Sequence, residues 1–110
     1  MAYDEQLAAR IRDRLRDVSQ KSMFGGRVFL VDGNIAVGVH GDDLLVRVDP
    51  DEIPSLIATD GVRPFLMGGR ATRGFVLVAA GLLDDAALDR WIGAARAYLA
   101  ARPASGRTAH

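Results

Sequence analysis

Glycines and arginines are the residues of this chain whose placement could do chemistry. Gly25-Gly26 stands just before an apolar run, and Gly68-Gly69-Arg70-Ala71-Thr72-Arg73 joins two others. Free backbone N–H groups beside guanidinium groups suit a phosphate or a carboxylate. A phosphate loop needs a helix opening directly after its glycines, whereas Arg27-Val28-Phe29 follows Gly26 and reads as a strand. Gly25-Gly26 therefore reads as a sharp strand entry that only glycine tolerates. Two readings stay open for the second loop: an anion site using Arg27, Gly69, Arg70 and Arg73, or a plain hairpin connection. Arg10, Arg12, Arg14 and Arg16 form another basic cluster, but Asp13 and Asp17 alternate with them. That pattern fits a solvated helix face with short-range ion pairs.

Metal binding needs several convergent ligands. His40 with Asp42 and Asp43 is the nearest approach, and a solvated turn is the stronger reading of those residues. The absence of cysteine removes disulfides, thiolate ligands and a thiol nucleophile. A hydrolytic triad needs a hydroxyl beside a base and its orienter, and His40 has no evident serine partner. Asp42-Asp43 and Asp84-Asp85 fall where turns and helix caps want Asp. No catalytic residue, cofactor or metal ligand is assigned, and the chain is not expected to be an enzyme.

A length of 110 residues suits one domain. Residues 4–18 read as a helix, with Leu7, Ile11, Leu15 and Val18 on one stripe continuing from Tyr3. Asp32-Gly33 is a hairpin signal, because a type I′ turn needs positive φ at both central residues. It pairs Leu30 with Ile35. A second turn at 40–43 pairs Val39 with Leu44. Strict alternation then predicts one apolar face carrying Val28, Leu30, Ile35, Val37, Val39, Leu44, Val46 and Val48. The opposite face carries Phe29, Val31, Ala36, Gly38, Leu45 and Arg47. Asp49-Pro50-Asp51-Glu52 opens a short helix, irregular because of Pro54. Strands are expected over 62–67 and 74–80, and a last helix over 85–101 capped by Asp84 and buried along Leu88, Trp91, Ile92, Ala95, Tyr98 and Leu99. Residues 102–110 read as a disordered tail.

Several of these landmarks recur together: Met23-Phe24-Gly25-Gly26 before an apolar strand, Asp32-Gly33-Asn34, Leu45-Val46-Arg47-Val48, Pro64-Phe65, Gly69-Arg70, Gly74-Phe75-Val76 and Leu88-Trp91-Ile92. Over about residues 3–101 the chain resembles the N-terminal domain of the TfoX/Sxy regulators of natural competence. Members often carry Pro-Met where Ala71-Thr72 stands here. The elements read above run α-β-β-β-α-β-β-α, an α+β domain with a five-stranded antiparallel sheet, and the resemblance implies a secretion-chaperone-like arrangement of them. It also implies a regulatory or protein-interaction module, linked to transcription or competence, without the helical C-terminal domain of the full-length regulators.

Partners follow from the faces and the charge. Three helices cannot easily cover both faces of such a sheet, so a homodimer is expected, with Phe29, Val31, Leu45 and Arg47 near the contact; a different protein partner is also compatible. Fourteen basic and fourteen acidic residues cancel, so direct nucleic-acid binding is not expected. The polar N-terminus is no signal peptide, and no apolar run approaches the ~20 residues of a spanning helix, so a cytoplasmic location off the membrane is expected.

Overall fold

The computed structural model describes residues 4–16, 18–23, 25–67 and 69–101. Tyr3, Asp17, Phe24, Gly68 and the expected tail at 102–110 lie outside the described residues. Helix α1 (Glu5–Arg14) begins where the Asp4 carboxylate accepts from the N–H groups of Gln6 and Leu7, and it buries Leu7, Ala8 and Ile11. It ends four residues before Val18, because Leu15 at its C-cap leaves the helical conformation (φ −130°, ψ 71°).

Six strands follow among the described residues, not the five expected: β1 (Ser19–Met23), β2 (Gly26–Val31), β3 (Asn34–His40), β4 (Asp43–Arg47), β5 (Val62–Met67) and β6 (Arg70–Val78). They form one antiparallel sheet in the order β1-β2-β3-β4-β6-β5. The unexpected strand is β1. Its sequence, Ser-Gln-Lys-Ser-Met, has no apolar alternation, and its residues are exposed except for half-buried Met23. Pairing with β2, not burial, makes it a strand.

The Asp32-Gly33 turn has the anticipated geometry, with φ of 53° and 83°, and Leu30 pairs with Ile35. The register then shifts. Phe29 pairs with Val37 and Val28 with Gly38, leaving Ala36 as an extra residue. This bulge overturns the expected faces. Phe29, Ala36, Val37, Val39, Leu44, Val46, Val48, Val76 and Val78 share one core with Leu7 and Ile11 of α1. Val28, Leu45, Phe65 and Leu77 form a separate cluster, with Met23, Leu30, Ile35 and Phe75 packed on it. Strict alternation fails because a bulge puts two residues against one and exchanges the faces beyond it.

All three helices serve the first core. Helix α2 (Ile53–Leu56) is a single turn, entered through a 3₁₀ turn (Pro50–Glu52) whose Asp49 cap accepts from Asp51 N–H. Its Ile53 and Leu56 lie against the helix-side core. Pro54 is tolerated because it falls in the first turn, where an N–H has no intrahelical acceptor. Helix α3 (Asp85–Ala101) begins at the Asp84 cap, whose carboxylate accepts from Ala87 N–H at 2.8 Å, and buries Ala87, Leu88, Ile92 and Ala95. Trp91 is only half-buried beside them. Arg10 and Arg14 of α1 tie the two long helices together through Asp85 and Asp89 of α3. Among the described residues no helix is long and apolar enough to cross a membrane.

Candidate functional site

Helices cover one sheet face, so the other face is where a partner or ligand would meet the sheet. Its centre is closed by the sheet's own strands. The rings of His40, on β3, and Phe65, on β5, lie edge to face with centroids 5.2 Å apart. Strands β4 and β6 stand between β3 and β5 in the sheet order. The contact therefore requires the sheet to curl toward its helix-free side, with Phe65 reaching inward over it. Phe75 meets Phe65 in a second edge-on contact at 6.5 Å. Arg63 on β5 reaches across β6 to pair with Asp43 on β4. Val28, Leu45, Phe65 and Leu77 are at most 6% exposed beneath this cover.

The residues expected at an interface are dispersed by the fold. Phe29 is fully buried in the helix-side core, and Val31 packs at that core's margin. Leu45 belongs to the helix-free cluster and is also buried. Phe29 and Leu45 thus lie on opposite faces, a correction that follows from the bulge at Ala36. Arg47 is half-buried, its guanidinium carbon 5.2 Å from the Phe75 ring centre and 5.8 Å from that of Tyr98. Both distances suit cation–π attraction.

The candidate anion residues are also separated. Arg27 lies on β2, paired with Val39. Gly69, with φ of 82°, and Arg70 lie at the β5–β6 turn, and Arg73 lies within β6. Strands β3 and β4 stand between β2 and β6. Gly25-Gly26 behaves as a strand entry: Gly25 has φ of 75°, and a Cβ on Gly26 would fall 1.9 Å from the Val39 carbonyl oxygen. Among the described residues no group of three or more metal-ligating side chains converges. A shallow hollow of roughly 130 Å³ lies between the start of α1 and the residues before α3, lined by Asp4, Arg10, Asp42 and Leu83 among others. Arg10 is committed there to the Leu83 carbonyl at 2.7 Å and to Asp85.

At the α1–α3 seam the paired charges shift one another. Hydrogen bonding and charge from Arg10, with Arg14 behind it, hold the Asp85 carboxyl below the usual range. The Asp89 hydrogen bond raises the Arg14 guanidinium. These are structural pairs between helices, not a site poised for proton transfer.

The sequence marks Phe65 only as one of the family landmarks and gives no sign of its place over this face. The run Val62-Arg63-Pro64-Phe65-Leu66 has no clean alternation, and the β5 bulge that aims Phe65 inward leaves no compositional trace. Architecture and site together define an α+β domain in which the described helices pack on one sheet face and the other face is curled and self-covered. A family model described as the TfoX N-terminal domain matches residues 10–100, and the chain belongs to that family. No curated protein and no solved structure matches it.

Proposed function

We propose that this domain is a non-enzymatic regulatory module that works by protein–protein contact and associates with a second copy of itself. The TfoX N-terminal match over most of the chain carries this reading, since it points to a regulatory class of domain. A role in transcription or competence is the form of regulation that the family suggests. The helix-free face supplies a surface. Met23, Leu30 and Ile35 are half-buried on β1–β3. Met23 lies on β1, which ends the sheet, and Leu30 and Ile35 lie on the next two strands inward. This strip replaces Phe29 and Leu45 as the contact, because both of those are sealed inside the monomer.

The test is the mass of the native protein by light scattering at tens of micromolar. A dimer of the 11.8 kDa chain is expected. Leu30→Glu with Ile35→Glu should return it to monomer with an unchanged circular dichroism spectrum. A wild-type protein that is monomeric at that concentration overturns self-association.

A further inference from the structure

The two edges of the sheet are built differently. β5 ends it on one side and is a poor template for another strand. Pro64 has no N–H to offer, the β5–β6 register shifts between Pro64 and Leu66, and Arg63 reaches back over the sheet to Asp43. β1 ends the sheet on the other side. Its five residues pair one for one with residues 26–30 of β2, with no bulge, and none of them is a proline. Among the described residues β2 alone pairs with it. Residues 19–22 are exposed on both sides of the strand, so neither the helix layer nor the covered centre of the other face extends over them. In an antiparallel ladder, alternate residues direct both N–H and C=O away from the neighbouring strand. β1 therefore presents a regular row of backbone donors and acceptors along its outer edge.

Charge decides what such an edge accepts. From Val18 to Val31 the chain carries Lys21 and Arg27 and no carboxylate; the flanking acids are Asp17 and Asp32. Lys21 is the middle residue of β1, opposite Val28. A second copy of β1 docked antiparallel about that residue, the register that keeps all five pairs, would set Lys21 beside Lys21. Like charges directly opposite each other are destabilising, whereas the same lysine favours a carboxylate in that position. Met23, two residues on, shares the face of Lys21 and is half-buried beside the helix-free cluster, so it takes an apolar neighbour. The complement of β1 is thus an extended segment with an acidic residue two positions from an apolar one.

We infer that the outer edge of β1 is a strand-docking site for an acidic extended segment of a partner protein, which adds to the sheet beside Lys21. Main-chain hydrogen bonds hold the segment, and the lysine selects its charge. The contact runs along the strand edge, whereas self-association uses the helix-free face. The two share only Met23, and each stands without the other.

Nuclear magnetic resonance of the isotope-labelled full chain tests this. In the free protein, alternate amides among residues 19–23 should exchange freely with solvent while those between them are protected by β2. The probe is the peptide acetyl-Thr-Val-Thr-Glu-Thr-Thr-amide, added to millimolar concentration. It should shift the amides of residues 19–23 more than any others and slow exchange of the outward ones. Lys in place of Glu in the peptide should weaken binding about fivefold. Pro in place of the Thr between Val and Glu should abolish it, because a docked strand needs that N–H or the room its ring takes. Lys21→Glu, at an exposed position, should reverse the preference between the two charged peptides. The inference is wrong if every β1 amide is already protected in the free protein, or if the acidic peptide leaves residues 19–23 unmoved. Equal binding of the Lys peptide or of the Pro peptide overturns it as well.

Discussion

Gly25 and Gly26 are adjacent, and each is a glycine for a different reason. Gly25 needs a positive φ of 75° but has open space where a side chain would go. Gly26 has ordinary backbone geometry, yet its missing Cβ makes room for the Val39 carbonyl oxygen. The first constraint is local and costs an alanine about 1–2 kcal/mol. The second is a collision with the backbone of a paired strand, which cannot rotate away. Gly26→Ala should therefore cost about 3 kcal/mol or more, as overpacking against rigid neighbours does. Urea unfolding of the two single variants tests the ranking, and equal losses would contradict it. Trp91 shows the opposite correction at this scale. Helical spacing placed it in the buried stripe, and the structure leaves it half-buried, so its truncation falls below the ~3–5 kcal/mol of a fully buried aromatic.

At the scale of elements, legibility followed how local each signal was. The Asp32-Gly33 reversal, the Asp84 cap and the Asp49 cap are written in neighbouring residues, and each forms as read. β1 was not legible, because an exposed polar edge strand owes its conformation to the partner it pairs with. The bulge at Ala36 was not legible either, since Leu30-Val31 and Ile35-Ala36-Val37 are apolar on both sides and so fit either register. That ambiguity decided the candidate interface. It moved Phe29 under the helices and left Leu30 on the helix-free side. A pair of substitutions separates the two registers: Phe29→Ala should cost about 3–5 kcal/mol as a core truncation, and Leu30→Ala less than half of that. Strict alternation gives the reverse order, so the ranking from chemical denaturation checks the bulge itself.

For the molecule as a whole, the seam between α1 and α3 joins the two ends of the described chain. Arg10 donates to the Leu83 carbonyl and to Asp85, and Arg14 donates to Asp85 and Asp89. Asp85 and Asp89 are largely exposed, so each pair is screened by water and by salt, and the seam acts as a network more than as single bonds. Its pH dependence follows from the Asp85 carboxyl, held low in the folded state chiefly by its hydrogen bond to Arg10. A carboxyl with a depressed folded pKa binds fewer protons in the native state than in the unfolded chain. Its contribution is fully present above its unfolded pKa of about 3.9 and is lost as pH falls through the lower folded value. Asp85→Asn should therefore lower the melting temperature at pH 6–7, and the gap between variant and wild type should close as pH drops from about 4 toward 2. Molar salt should narrow the same gap at neutral pH. A gap that stays constant down to pH 2 would mean that Asp85 acts through something other than its charge, such as its place in the first turn of α3.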